Sequence, residues 1–236
     1  MASNGFEPVV CQTCEARLLG IFSICNHQEI DHLNETKSCQ FYKKGQSIFQ
    51  EDHRPSGIFC VSKGKIKLVK LGNEGKEKIM RISTVGDLLG YKALIANTTY
   101  TATAIALEDS SVCFIPKGEF MDLLTDNREL SNSFTRLLCR NITEFEEEIV
   151  ELAYKSVRER LAEALLLLRK KFEDDHGNGD IISITREDLA NLVGTAKETV
   201  IRLLSDFKDK GIIESSGRKI VLKDHRTLLA LSNVYD

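Results

Sequence analysis

The stretch from Ser183 to Ile213, SITREDLANLVGTAKETVIRLLSDFKDKGII, constrains the chain more than any other. It reads as two short amphipathic helices joined by a tight turn at Gly194. Thr185 is a good N-cap with Asp188 three residues on. Leu189, Leu192 and Val193 give the first helix its apolar face. Gly194 suits the backbone of the turn. Thr195 is expected to cap the second helix, whose apolar face is Val200, Leu203, Leu204 and Phe207. Lys197, Glu198, Ile201 and Arg202 fall on the opposite side, where a helix in a DNA major groove meets base edges. A plainer reading stands beside this one: Glu198 completes a capping box behind Thr195, and Lys197 and Arg202 form a solvated face.

The same segment resembles the DNA-binding motif of the Crp/Fnr family of bacterial regulators. The matching positions are Ile184-Thr185-Arg186, Val193-Gly194, Lys197-Glu198-Thr199-Val200 and Arg202. The resemblance implies that Glu198 and Arg202 read bases, Arg202 through a bidentate contact to guanine and Glu198 by accepting from cytosine. Lys197 reaches a guanine or a phosphate. Ile201 departs from members with serine there and offers an apolar contact. Thr185, Arg186 and Thr199 are expected to hold the DNA backbone. Beyond the helices, Gly211 to Glu214 and Lys219 to Leu222 read as a hairpin around Ser215-Ser216-Gly217-Arg218. This winged ending puts Arg218 and Lys219 near phosphates.

The charge pattern agrees. The net charge of −3 does not announce a nucleic-acid partner, but residues 197–226 hold 8 Lys and Arg against 5 Asp and Glu. Affinity for double-stranded DNA must then come from a local basic surface. No apolar run approaches a membrane span: Leu161 to Leu168 is interrupted by Glu163 and flanked by Arg160 and Arg169. The start MASNGFEPVV lacks a signal-peptide pattern. A cytoplasmic protein with no membrane partner is expected. No Ser-His-Asp, paired-carboxylate or P-loop pattern points to an enzyme. A module that binds a partner other than DNA is the remaining rival from another class.

Residues 41–118 carry short β-like runs, such as Gly57 to Val61, Gly64 to Leu71, Glu77 to Ile82 and Ser111 to Ile115, punctuated by glycines. They predict a small antiparallel barrel or sandwich. The spacing of Gly45, Gly64, Gly86-Asp87 and Gly90 resembles the cyclic-nucleotide-binding β-roll of the same family. From Leu130 to Ala153, the residues Leu130, Phe134, Leu138, Ile142, Phe145, Ile149 and Leu152 recur at helical spacing. Such a stripe packs either on its own β-domain or across a homodimer seam. The family dimerises through the helix in this position, which implies a seam of Phe134, Leu138, Ile142, Phe145, Ile149 and Leu152. The expected fold is α+β: an N-terminal segment and jelly-roll-like sensor over 1–125, a dimerisation helix and hinge over 126–155, and a winged helix-turn-helix over 156–236. Val157 to Phe172 is a further helix, followed by the polar loop DDHGNGD. The resemblance also implies RNA polymerase as a partner.

The effector is open. Family members that bind a cyclic nucleotide carry a Gly-Glu segment, then an Arg-Ser/Thr-Ala about ten residues later. Here the segment is Gly86-Asp87-Leu88, followed by Tyr100-Thr101-Ala102. A tyrosine cannot supply the arginine's charge or its fork, which argues against cyclic AMP. The oxygen-sensing branch holds an iron–sulfur cluster on N-terminal cysteines plus one in a strand, which implies Cys11, Cys14, Cys25 and Cys113. Cys39 is an alternative for Cys25. Zinc on Cys11, Cys14, Cys25 and His27, or haem on His27, His32 or His53, are further options. With seven cysteines and an intracellular character, no disulfide framework is expected.

Overall fold

A computed structural model describes residues 9–72, 75–172 and 180–232. The MASNGFEP start and most of the loop after Phe172 lie outside these. The chain divides into two compact units. One comprises residues 1–76 and 80–141, the other residues 77–79 and 142–236.

The first unit opens with a short N-terminal segment: α1 (Glu15–Leu19) and α2 (His27–Thr36), each preceded by a 3-10 turn. A capping box starts α2: Asn26 Oδ1 accepts from Glu29 N–H at 3.0 Å, and Glu29 Oε2 accepts from Asn26 N–H at 2.8 Å. The expected antiparallel β-roll follows. Strands β1 (Ser38–Tyr42), β2 (Ser47–Phe49), β3 (Gly57–Lys63) and β4 (Ile66–Leu71) lead to β5 (Glu77–Ser83) and β6 (Leu88–Leu89). After α3 (Tyr91–Ala96) come β7 (Thr103–Ala106) and β8 (Ser110–Pro116). The strands form two four-stranded sheets, ordered β1-β8-β3-β6 and β2-β7-β4-β5. Ile66, Val61, Val112 and Ala104 fill the core between them. A second core lies between the roll and the helices, with Ile58, Leu94, Ile115 and Phe120 at its centre.

From β8 the chain enters α4 (Lys117–Asp126) and then the long α5 (Arg128–Tyr154). Leu130 and Phe134 belong to the second core, with Leu138 packed against it. Phe134 meets Phe120 and Tyr91 edge-on. This corrects the expected seam: its first member, Phe134, is 5% exposed and already spent on its own domain. Ile142, Phe145, Ile149 and Leu152 stand exposed.

The second unit contains α6 (Val157–Phe172), β9 (Ile181–Ser183), α7 (Arg186–Val193), α8 (Lys197–Asp209), β10 (Ile213–Ser216), β11 (Lys219–Leu222) and α9 (His225–Ser232). Ser156 and Glu159 form the capping box that starts α6. The hairpin β10-β11 gains β9 as a third strand, through Ile220↔Ile182. Leu161, Leu165 and Leu168 on α6 are fully buried, as are Leu189, Val200, Phe207 and Leu228. No helix among the described residues is long and apolar enough to cross a membrane.

Candidate nucleic-acid interface

The geometry of α7 and α8 starts with their ends. Thr185 Oγ1 accepts from Asp188 N–H at 2.9 Å and so caps α7, as the sequence predicts. Gly194 ends it at φ +72, a left-handed conformation in which a side chain is strained. The expected cap of the second helix is corrected: Ala196, not Thr195, is the N-cap, and no side chain caps it. Thr195 N–H instead donates to the Ala190 carbonyl, which tightens the turn by one residue. Glu198 therefore sits one place too early to close a capping box. The plainer use of that carboxylate is removed.

Packing then aims α8. Val200, Leu203, Leu204 and Phe207 are all buried, so the opposite face is fixed outward. On it lie Lys197, Glu198, Ile201 and Arg202, all exposed. Lys197 Nζ stands 3.2 Å from Glu187 of the preceding helix. Behind them, Arg158 pairs with Asp206 and lies 5.0 Å over the Phe207 ring, pinning α8 to α6. Arg160 donates to the Val193 carbonyl at 3.2 Å and holds the end of α7. Sequence reading missed both arginines. Their signal was weak, because they stand on a different helix about forty residues upstream.

Thr185, Arg186 and Thr199 are half-buried at the flank of the face, and Arg218 and Lys219 are exposed at the tip of the hairpin. Arg186 Nη1 is buried with no hydrogen-bond partner, and burial pushes that guanidinium below its ordinary pKa.

The effector residues are arranged differently from what a cyclic nucleotide needs. Tyr100 is buried and its ring stacks on Phe49 with centroids 4.0 Å apart. A Cβ on Gly90 would come within 3.1 Å of that ring. Asp87 accepts from Thr84 N–H at 2.9 Å and lies 3.7 Å from Arg81. Gly86 turns at φ +89 and Leu88 is buried; Thr101 is exposed. Tyr100, which the resemblance aligns with the family's arginine, is stacked on Phe49, and Asp87 serves its own turn. These residues do not fit a cyclic nucleotide.

The metal sets are also corrected. Cys113 is disulfide-bonded to Cys39, a single bridge where the sequence predicts no disulfide framework. A sulfur so bonded cannot ligate as a thiolate. Cys11 and Cys14 line a recess with Cys60 and Cys113, but Cys25 is not on it. Burial, aided by Glu29, pushes the Cys25 thiol up to about 12. His32 pairs with Glu119 and His53 with the Glu51 carbonyl. Among the described residues, no three His, Cys, Asp or Glu side chains come together to hold a metal ion. The residues as arranged do not fit the cluster or zinc.

A helix-turn-helix with an outward polar helix and a basic hairpin tip defines a reader of double-stranded DNA. Comparison with known proteins says which kind. The sequence pattern of the cyclic nucleotide-binding domain matches residues 39–127, and that of the Crp-like helix-turn-helix domain matches residues 159–231. The chain is 30% identical to the fumarate and nitrate reduction regulatory protein of Vibrio cholerae over 234 residues, 98% of this chain and 93% of that one. It is also 30% identical to electron transport regulator A of Shewanella oneidensis over 229 residues, covering 94% and 90%. FixK2 from Bradyrhizobium japonicum shares the fold, with a TM-score of 0.73 at 22% identity, covering 85% and 99% of the two chains. The chain belongs to the Crp/Fnr family of DNA-binding transcriptional regulators.

Proposed function

We propose that the protein works as a homodimer on a pseudo-palindromic operator. In each protomer, Lys197, Glu198, Ile201 and Arg202 read base edges, while Thr185, Arg186, Thr199, Arg218 and Lys219 hold phosphates. The carrying observation is the outward face of α8: four exposed residues of base-reading chemistry, aimed by four buried apolar ones on the same helix. The exposed Ile142, Phe145, Ile149 and Leu152 of α5 give the two-fold contact. The protein acts in the cytoplasm, where the chromosome lies, and touches RNA polymerase once bound.

The test is selection from a random pool of duplexes by the full-length protein. Enriched sites should be two inverted half-sites with centres about one helical turn, roughly 10 base pairs, apart. Enrichment of single half-sites, or none, overturns the reading.

The signal is redox state rather than a cyclic nucleotide. Two supports carry this. The relatives are named for fumarate and nitrate reduction and for electron transport. In this chain, four cysteines line one recess while the nucleotide residues are turned to other uses.

A further inference from the structure

Five of the seven cysteines lie in one region of the first unit, around a recess rather than in mutual contact. Cys11, Cys14, Cys60 and Cys113 line a small, partly open recess of about 30 Å³. Cys39 is bonded to Cys113 behind it. The strand registers make the arrangement specific. Cys39 lies directly opposite Cys113 between β1 and β8, and Cys60 directly opposite Cys113 between β3 and β8. Opposed residues of an antiparallel ladder share a face, with Cβ atoms about 5 Å apart. Three sulfurs therefore stand abreast on three adjacent strands, with a disulfide between two of them.

We propose that Cys39–Cys113 is a reversible two-electron redox switch for this regulator, not a structural staple. The proposal rests on the DNA-binding reading. A protein that works on the chromosome sits where thiols are kept reduced, and disulfides that form there are transient or redox-sensing. Three features of the site support it. Cys39 and Cys113 face each other in the ladder register of β1 and β8, so the two thiols re-form the bond without rearranging the backbone. Burial, with Cys14 and Cys11 next, pushes the Cys60 thiol up to about 12, so this neighbour stays protonated and does not scramble the bond. Cys39 is half-buried on β1, the edge of its sheet, so an outside reagent reaches it first.

The chemistry balances with reagents of two classes. To close the switch, a hydroperoxide oxidises the Cys39 thiolate to a sulfenic acid and leaves as an alcohol or water. The Cys113 thiol then attacks that sulfur, and water departs. To open it, one thiolate of a small dithiol attacks Cys39 Sγ, and Cys113 leaves as a thiolate and takes a proton. The second thiol of the reagent displaces Cys39 and leaves as a cyclic disulfide. Opening releases β1 from its covalent clamp and adds the Cys113 thiol to Cys11, Cys14 and Cys60 around the recess. There Arg17 Nε is buried without a hydrogen-bond partner, ready for the negative charge of a thiolate. Cys113 stands three residues before the end of β8, which leads directly into α4 and then α5. The state of the bond thus has a short covalent path to the long helix.

The experiment takes the full-length protein through buffers of reduced and oxidised dithiothreitol. Alkylation of free thiols with a maleimide and peptide mass mapping follow, and operator affinity is measured in parallel on the same samples. Cys39 and Cys113 should gain and lose label together, reversibly, in folded protein. Operator affinity should change by about five-fold or more between the two states, the low end of ordinary allosteric coupling. Cys39→Ser should hold one affinity in every buffer. The proposal is overturned if the pair opens only on unfolding, if both thiols label in every buffer, or if the two forms bind the operator equally. Should neither form enrich any duplex, the DNA-binding reading fails, and the labelling still decides whether the bond is reversible.

Discussion

The two halves of α5 carry one continuous apolar stripe and meet opposite fates. Leu130 and Phe134 are buried in the core of the first unit, whereas Ile142 is 60% and Ile149 56% exposed. The residue types and spacing do not differ between the halves. What differs is whether the same chain supplies a cover: Phe120 and Tyr91 reach Phe134, whereas among the described residues Ile149 stays 56% exposed. An amphipathic stripe says that a face will be covered. It does not say by what.

The largest test of that difference is truncation. Phe134→Ala should cost the protomer about 3–5 kcal/mol, because it leaves a cavity in a closed core. Phe145→Ala should cost less, about 1 kcal/mol in monomer stability, because nearly half of that residue already faces water. Urea unfolding at low protein concentration measures both. Equal losses would show that the stripe is covered alike along its length, and the comparison would collapse.

Charge sharpens it next. Ile149→Glu should leave each protomer folded, with its unfolding midpoint nearly unchanged, yet turn a dimer into a monomer by sedimentation. Operator affinity should fall with it, by roughly a hundred-fold if one half-site contact is lost outright, on the scale of about 1.4 kcal/mol per ten-fold. A variant that stays dimeric would remove this half of α5 from the interface.

The same contrast explains what the sequence could show. The fold class was legible because its signals are local. Thr185 with Asp188, Gly194, and the glycine-punctuated runs around β3, β4 and β8 each need only neighbours in sequence. The outward face of α8 was legible for the same reason, since Val200, Leu203, Leu204 and Phe207 fix it by periodicity alone. The start of α8 was misplaced by one residue because a bond from Thr195 N–H to the Ala190 carbonyl competed with its capping role, and nothing in the sequence ranks the two. The fate of Phe134 and the pairing of Cys39 with Cys113 depend on contacts across many residues. For the cysteines, only the strand register, 74 positions apart in sequence, decides which sulfurs meet.

Arg202→Ala gives a smaller effect that depends on the exposed half of α5 being a seam. It should cost about 1–3 kcal/mol per half-site and relax discrimination at one base pair, while binding to random duplex changes little. In a dimer the loss appears at both half-sites of a symmetric operator. An equal loss on specific and random DNA would make Arg202 a phosphate contact instead.

The smallest effect sits where the exposed half of α5 meets α6. Lys155 Nζ lies 3.2 Å from Glu151 and 2.8 Å from Glu163, so two acids share one ammonium. Burial, and then the hydrogen bond with the Glu151 carboxyl, push the Glu163 acid up to about 7, outweighing the pull of Lys155. The folded protein therefore keeps a proton that the unfolded chain has already released. Its stability should fall as pH rises from about 4.5 to about 7, because folding then requires the bound proton to be held against the solution. Glu163→Gln cannot ionise and should flatten that slope, gaining up to about 1 kcal/mol at pH 8, a modest figure because solvent reaches the group. Thermal unfolding of both proteins across this pH range measures it. If Glu163→Gln is the less stable protein at pH 8, Lys155 dominates the trio, and the acid is ionised at the junction in the folded state.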